Sequence, residues 1–303
     1  MARFATIDVG SNSLLVHIVE RGADGSFTVL ADRSEITRLG EGLAQTGAFG
    51  VEPMRRSVEA LRSFAELARE LEVEQLAAVG TMALRNATNA ADFLALAKAE
   101  TGIEIEVIPG EEEARLAYRA AMSGLPMQLD EVVVFDVGGG STEFVFGNRT
   151  RIEKKFSLNI GALRLTDSYC SADPVPPEAL DRLMRALCAE FDSLTKVDAR
   201  TILGIGGATT NIAAVELGLE QYDPQRVHGS RLSLDRLQAL LERFAFTPLE
   251  ERRRIPGLQP KRAETIVAGT AIIISVLKRL EADALIVSDR GLRHGLMADR
   301  FSL

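Results

Sequence analysis

The stretch Ile7-Asp8-Val9-Gly10-Ser11-Asn12-Ser13 decides the fold. It contains a polar turn that connects two short apolar runs, residues 4–9 and 14–19. A strand, a tight polar turn and a second strand predict a β-hairpin. The same turn returns at a constant offset of 128 residues, as Asp136-Val137-Gly138-Gly139-Gly140-Ser141-Thr142-Glu143. A repeat at this distance indicates duplicated α/β halves, because solenoid units repeat every 20 to 50 residues or so.

Apolar periodicity predicts the remaining elements. In the first half it predicts strands over residues 27–36, 76–79 and 103–108, and helices over 52–70, 90–100 (capped by Thr88 or Asn89) and 111–122. In the second half it predicts strands over 132–135, 144–146, 201–205 and 284–287, and helices over 177–196, 210–218, 234–245 and 262–280. The boundary is expected between Gly124 and Asp130, which gives domains 1–124 and 125–303.

Composition excludes several classes of function. The 303 residues suffice for two domains, and the net charge of −8 argues against a broad nucleic-acid or acidic-membrane surface. The apolar stretch 265–277 is too short to cross a bilayer and is predicted to be a core helix. Cys170 and Cys188 are isolated, which disfavours structural zinc, and with no visible leader peptide they predict a cytoplasmic protein.

Glycine in the two turns lets backbone N–H groups approach an anion, and Ser and Asn side chains add donors. Gly138, Gly139 and Ser141 are therefore candidate phosphate-binding residues. The aspartates of the turns would repel a lone phosphate, which suggests a divalent cation or an ordered water beside them. A third glycine-rich stretch, 204–210, ends a strand and opens a helix, so Gly207 is a further candidate.

Three consecutive carboxylates, Glu111 to Glu113, follow Pro109-Gly110 at a predicted helix start. They would complement the helix dipole, and Glu111 could pair with Arg115 one turn later. Alternatively, one of them could deprotonate an attacking water. Arg85 lies in a loop after a strand end, where a phosphate clamp would be placed. His17, His228 and His294 are scattered along the chain and are interpreted as structural, and no Walker motif is present.

These motifs resemble the exopolyphosphatase/guanosine pentaphosphate phosphatase family in its short two-domain form. The resemblance covers nearly the whole chain in order. It rests on the two turns and on the stretches Gly80-Thr81 through Asn89, Gly110-Glu111-Glu112-Glu113-Ala114-Arg115, Gly206-Gly207-Ala208, Pro256-Gly257-Leu258, and Ser288-Asp289 with Gly291-Leu292-Arg293.

The resemblance implies two actin-like (sugar kinase/Hsp70-like, ribonuclease H-like) domains with an active-site cleft between them, and magnesium-dependent release of orthophosphate. It implies Glu113 as the catalytic base and a requirement for Asp136 and Glu143. It also implies phosphate binding by Arg85 and by the first turn's Ser11, Asn12 and Ser13. Asp8, Asp136 and Glu143 are the expected Mg²⁺ ligands, Asp8 being the least certain of the three.

Two departures from the family pattern are visible. Longer members carry a helical extension, whereas this chain stops at Leu303, so its grip on long polyphosphate is in question. Arg290 and His294 stand where the family often has a small residue and an acid. They are expected to affect which substrate tail is tolerated and to leave hydrolysis unchanged.

The leading hypothesis is therefore an exopolyphosphatase acting on inorganic polyphosphate, and the alternative is a guanosine pentaphosphate 5′-phosphohydrolase. A sugar or acetate kinase of the same fold would need an acceptor motif, which is not seen. A non-catalytic sensor would not need the set Glu113, Asp136 and Glu143. No nucleic-acid or membrane partner is expected. The sequence does not determine the oligomeric state, and a homodimer is among the assemblies open to it.

Overall fold

The computed structural model describes residues 2–123, 125, 131–148, 151–192 and 201–301. The chain divides into two compact units. Unit 1 comprises Met1–Ala120 together with Leu292–Leu303, and unit 2 comprises Ala121–Gly291.

Unit 1 is built on a five-stranded sheet in the order β3-β2-β1-β4-β5. The first three strands form an antiparallel meander, and β4 and β5 extend it in parallel. Its elements are β1 (Ala2–Val9), β2 (Ser13–Arg21), β3 (Phe27–Ile36), α1 (Leu43–Thr46), α2 (Val51–Glu70), β4 (Gln75–Gly80), α3 (Met82–Asn86), α4 (Ala90–Thr101), β5 (Ile105–Val107) and α5 (Gly110–Met122).

Asn89 occupies the N-cap position of α4, but its side chain makes no capping hydrogen bond to the helix. Instead its carboxamide accepts a hydrogen bond from the backbone N of Phe49 at 2.8 Å and donates one to the Phe49 carbonyl at 3.1 Å. The expected capping residue thus joins two segments of unit 1 that lie 40 residues apart.

The C-terminal helix α13 (Leu292–Phe301) belongs to unit 1, whereas the sequence prediction placed it in the second domain. The physical reason is apolar burial: Leu292 and Leu296 pack in one cluster with Val79, Ile108 and Leu116. Gly295 passes so close to the backbone of Leu116 that a Cβ would overlap its carbonyl. These are long-range contacts that periodicity does not report.

Unit 2 is built on a six-stranded sheet in the order β10-β11-β9-β6-β7-β8. Its elements are β6 (Val132–Val137), β7 (Thr142–Gly147), β8 (Ile152–Leu158), α6 (Ala162–Tyr169), α7 (Pro177–Phe191), β9 (Thr201–Ile205), α8 (Gly206–Glu216), α9 (Pro224–Val227), β10 (Arg231–Ser233), α10 (Leu234–Phe246), α11 (Leu249–Arg252), a 3₁₀ turn (Pro260–Arg262), α12 (Ile266–Arg279) and β11 (Ala284–Val287).

Helix α12 is the core helix that the apolar stretch predicted. Every residue from Ile266 to Leu277 is buried. Among the described residues no helix is long and apolar enough to cross a membrane.

The predicted duplication is confirmed in the topology of the two sheets. In each unit the first strand pairs antiparallel with its hairpin partner on one side and parallel with a later strand on the other. The strands missed by the periodicity are short or largely polar, such as β8 with two exposed residues, Glu153 and Lys154. The predicted boundary at 124–130 lies outside the described residues except for Leu125.

Candidate active site

The first hairpin turn is closed by a hydrogen bond from the backbone N of Gly10 to the carbonyl of Ser13, at 3.0 Å. Ser11, Asn12 and Ser13 are all buried. The segment after β3 holds the turn in place, because the backbone N of Thr37 donates to the Asn12 carbonyl at 3.1 Å and that of Gly40 to the Ser11 carbonyl at 2.8 Å. The polar side chains of the turn are thus presented by a fixed backbone.

The second turn repeats this geometry, with the backbone N of Gly138 donating to the Ser141 carbonyl at 2.9 Å. Its support comes from the start of α6, whose backbone N–H groups of Ala162 and Leu163 donate to the carbonyls of Gly138 and Gly139. Gly161 lies so close to Gly139 and Gly140 that a Cβ would overlap their backbone. The carbonyls of Gly138 and Gly139 are therefore hydrogen-bonded by the start of α6.

Carboxylates lie in a row across the sheet beside the second turn. Asp136 on β6 faces Glu143 on β7, and Glu143 faces Ser157 on β8. Ser157 donates its hydroxyl to Oε1 of Glu143 at 2.7 Å. Directly opposite residues on one face of an antiparallel pair have Cβ atoms about 5 Å apart, so Asp136 and Glu143 present their oxygens to a common region.

The third glycine stretch packs against this row. Gly206 has a φ of 87°, and a Cβ there would overlap Oδ1 of Asp136. Gly207, the second residue of α8, lies under the guanidinium of Arg262, where a Cβ would overlap Cζ. Arg262 is a cation that the sequence reasoning did not assign to the site. Its signal in the sequence is the charged pair Lys261-Arg262 shortly before the apolar stretch 265–277.

In unit 1 the three consecutive glutamates of α5 separate by environment: Glu111 is exposed, Glu112 is partly buried and Glu113 is buried. The expected Glu111–Arg115 pair is wrong. Arg115 instead pairs with Glu112 at 2.6 Å and with Asp299 of α13 at 2.7 Å. The reason is that α13 packs against α5 and brings in Asp299, which a pattern local to α5 cannot report.

Glu113 accepts a hydrogen bond at 2.9 Å from Nη1 of Arg85, which also donates to the carbonyl of Ile108 at 2.8 Å. Arg85 and Glu113 follow the carboxyl ends of β4 and β5, at the same edge of the sheet as the first turn. Val9 pairs with Gly80, and the backbone N of Ile108 donates to the Gly80 carbonyl at 3.0 Å. Because the carboxyl ends of β1, β4 and β5 meet at one edge, Arg85 and Glu113 follow strands that end beside Asp8.

Arg290, Arg293 and His294 are engaged elsewhere. Arg290 donates to the Ser123 hydroxyl at 2.8 Å. Arg293 belongs to unit 1 rather than to the second half, and it binds both oxygens of Asp32 at 2.9 and 3.1 Å. His294 also faces Asp32, at 3.6 Å.

The pKa values of Asp32 and His294 are both strongly shifted. Burial raises the pKa of Asp32, but His17, His294 and Arg293 outweigh it and hold that pKa far below its usual range. Burial, followed by the charge of Arg293, lowers the pKa of His294 to about 3, against the opposing effect of Asp32.

The structure thus brings the predicted site residues together in two sets. Unit 1 holds Asp8, Ser11–Ser13, Arg85 and Glu113, and unit 2 holds Asp136, Gly138–Ser141, Glu143 and Gly207. Their assigned roles stay predictions.

Two α/β units, each with an antiparallel meander extended by parallel strands, confirm the predicted actin-like fold class. The model of the Ppx/GppA phosphatase family matches residues 18–302, and the chain belongs to that family, whose enzyme class is phosphatase.

Individual relatives agree. Exopolyphosphatase 2 of Mycobacterium tuberculosis is 31% identical over 98% of this chain and 98% of its own length. A crystal structure of the Aquifex aeolicus member of the Ppx/GppA family is 37% identical, covers 99% of this chain and 98% of its own, and superposes with a TM-score of 0.82. A bifunctional 3-dehydroquinate synthase/phosphatase of Fusobacterium nucleatum is 30% identical over 94% of this chain, but the match spans only 44% of that longer protein.

Proposed function

We propose that this chain is an exopolyphosphatase that removes the terminal phosphate of inorganic polyphosphate and releases orthophosphate in a metal-dependent reaction. The observation that carries the proposal is Glu113, the buried carboxylate of its acidic motif, fixed by Arg85 at 2.9 Å on the strand edge of the first turn. The relative from M. tuberculosis named exopolyphosphatase 2 supports polyphosphate as the substrate class.

In this proposal Glu113 accepts a proton from the attacking water. The water oxygen forms a bond to the terminal phosphorus while the bridging P–O bond breaks, and the shortened polyphosphate leaves. A positioned general base contributes about 10²–10⁴-fold to rate. Arg85 keeps the carboxylate oriented, and its remaining N–H donors are available to a phosphate oxygen.

The phosphates are held by the turns. In unit 2 the proposed donors are the backbone N–H group of Gly139 and the hydroxyl of Ser141, while the N–H of Gly138 closes the turn and its missing Cβ leaves room for the phosphate. In unit 1 the proposed donors are the hydroxyls of Ser11 and Ser13, with the Asn12 carboxamide beside them. Arg262 over Gly207 adds a positive charge at the start of α8, where free backbone N–H groups also favour an anion.

Asp136 and Glu143 are proposed to hold Mg²⁺, with Asp8 as a third carboxylate. The residues fit this ion, because facing carboxylates on adjacent strands offer the hard oxygen ligands that Mg²⁺ prefers. The hydrogen bond from Ser157 fixes Glu143 in the manner of an outer-shell partner. When bound, the ion neutralises charge on the phosphate that is attacked.

We also propose a cytoplasmic location for this activity. Cys170 and Cys188 are both free thiols, as is usual in a reducing compartment.

The test is orthophosphate release from tripolyphosphate, longer polyphosphate, guanosine pentaphosphate and ATP, each with Mg²⁺ and with excess chelator. We expect release from polyphosphate to exceed the rest and to stop in chelator. If orthophosphate were released from guanosine pentaphosphate alone, polyphosphate would be wrong as the proposed substrate, but the proposed hydrolase activity would stand. Full activity in chelator would remove the metal from the mechanism.

A further inference from the structure

A cluster of His17, Asp32 and His294 lies on the outer strands of the unit 1 sheet, and the proposed hydrolysis does not use it. His17 on β2 stands directly opposite Asp32 on β3, and His294 comes from the first turn of α13. One ligand atom from each residue lies within 4.8 Å of the other two. His294 lies far along the chain from His17 and Asp32, so the three residues meet only in the folded unit.

The spacing of these atoms matches a metal site. Nδ1 of His17 and Nε2 of His294 are 3.4 and 3.6 Å from the same oxygen, Oδ2 of Asp32. Tetrahedral zinc with bonds of about 2.0–2.2 Å places its ligand atoms about 3.4 Å apart. The two nitrogens therefore already stand at ligand spacing from a shared carboxylate oxygen.

The buried imidazole of His17 is an independent observation. His17 is only 6% exposed, yet its Nδ1 makes no hydrogen bond within the described residues. Buried polar atoms are almost always hydrogen-bonded, and a bound ion is one standard reason for an exception. This nitrogen points at Asp32, which is the direction a ligand to an ion would take.

The surroundings orient these residues. Arg293 hydrogen-bonds both oxygens of Asp32, as outer-shell donors commonly do to a ligating carboxylate. Thr6 donates its hydroxyl to the Arg293 carbonyl at 2.9 Å, which fixes the start of α13 over β1. Asp32 keeps 31% of its side chain exposed, so an ion has a path from solvent.

We infer that His17, Asp32 and His294 bind one divalent transition ion of the zinc class, with the fourth position open to water. Two imidazoles and one carboxylate suit Zn²⁺ far better than Mg²⁺, which takes oxygen ligands. The ion would join α13 to the β2–β3 strands, so it stabilises the part of unit 1 that is most distant in sequence.

The test uses the full chain, stripped of metal and titrated with Zn²⁺ in the presence of excess Mg²⁺, with binding followed by calorimetry and melting temperature. We expect one Zn²⁺ per chain, a raised melting temperature, and affinity at least tenfold weaker in both His17→Val and His294→Gln. Valine is chosen because Val145 occupies the corresponding position of the second hairpin. Co²⁺ would report nitrogen ligation by its visible absorption.

The matched control is His228→Gln, which removes the remaining histidine and lies in unit 2. It should leave Zn²⁺ affinity unchanged. Circular dichroism of each metal-free variant separates a lost ligand from a lost fold. The inference is overturned if the wild type takes up no Zn²⁺ from a stoichiometric excess, or if Zn²⁺ binds equally well to folded His17→Val and His294→Gln.

Discussion

The two hairpins make the same turn but carry different strands out of it. Gly10 and Gly138 close their turns with matching hydrogen bonds of 3.0 and 2.9 Å. The residue opposite the aspartate differs between the hairpins: Leu15 stands opposite Asp8, whereas Glu143 stands opposite Asp136. Two residues later, His17 stands where the second copy has Val145. Turns that are closed in the same way therefore lead into strands with different side chains in the two units.

The difference teaches where each unit obtains its carboxylates. Unit 2 takes Asp136 and Glu143 from the hairpin itself, directly across one strand pair. Unit 1 has Asp8 opposite Leu15 and obtains its second acid, Glu113, from helix α5. A carboxylate pair on one hairpin suits a cation, whereas the single carboxylate of Glu113 is the one that we propose as the base.

The largest expected effect is that of Glu113→Gln, which should lower kcat by about 10²–10⁴-fold because the amide cannot accept the proton. Substrate affinity should change little, because the amide keeps the size of the side chain. Steady-state orthophosphate release over a range of polyphosphate concentrations measures both constants.

Glu112→Gln is the control on the same helix, because its carboxylate pairs with Arg115 rather than with Arg85. It should lower stability slightly and leave kcat within a few-fold of wild type. If Glu112→Gln proved the more damaging of the two, the base would have to be reassigned to Glu112.

Next in size is the effect of Glu143→Gln on the magnesium requirement. Replacing the charged carboxylate with a neutral amide should raise the Mg²⁺ concentration for half-maximal activity by about 10- to 100-fold, by analogy with the cost of disturbing metal-site partners. Activity measured across a magnesium titration gives this value.

Leu15→Gln places the same amide at the equivalent position of the first hairpin and should leave the magnesium requirement as it is. If Leu15→Gln and Glu143→Gln raised the Mg²⁺ concentration for half-maximal activity equally, the proposal that Glu143 holds the ion would be contradicted.

Much of this architecture could be predicted because local patterns carry it. The duplicated turn and the apolar runs beside it give the hairpins, and the uncharged stretch before Lys278 gives the core helix α12. The acidic motif could be found from sequence, and the family resemblance already implies Glu113 among its three glutamates. That Glu113 is the buried one of the three comes from the structure.

What the sequence could not give depends on contacts between distant segments. The membership of α13 in unit 1 rests on Leu292 and Leu296 meeting β4 and α5. Arg262 reaches Gly207 across 55 residues, and His17 meets His294 across most of the chain. No periodicity within a window of a dozen residues can encode such pairs.

A third comparison concerns the glycine at the carboxyl end of the parallel strand beside each hairpin: Gly80 is the last residue of β4, and Gly206 directly follows β9. Gly206→Ala should destabilise the protein by about 1–3 kcal/mol, because alanine disfavours a positive φ and its Cβ would meet the Asp136 carboxylate and the Val137 carbonyl. Gly80→Ala should cost less, because its Cβ would meet the movable methyl end of Leu84. Urea unfolding of both variants measures the difference.

Gly25→Ala separates the two causes, since Gly25 has a φ of 81° and no atom of the described residues within 4 Å of its Cβ position. Its cost is that of backbone conformation alone. Equal losses in Gly25→Ala and Gly206→Ala would show that crowding against Asp136 contributes nothing.

The smallest expected effect distinguishes the outer strands of the two hairpins and is absent at neutral pH. His294 lies against the His17–Asp32 pair, and the second hairpin has Val145 and Lys155 at the corresponding positions. Because the pKa of His294 is lowered from 6.5 to about 3 in the fold, the unfolded chain binds one more proton between these values. Stability should therefore fall as pH drops below about 6.5, by at most about 1.4 kcal/mol per pH unit for this group. The Asp32 carboxylate, whose pKa is lowered, stays charged over this window in the fold and begins to lose its contribution to stability only below its unfolded value of about 3.8.

His294→Gln, measured in chelator by urea unfolding at pH 7.5 and 5.5, should match wild type at the higher pH and lose less stability at the lower. An equal loss in both proteins would place the acid sensitivity outside this hairpin.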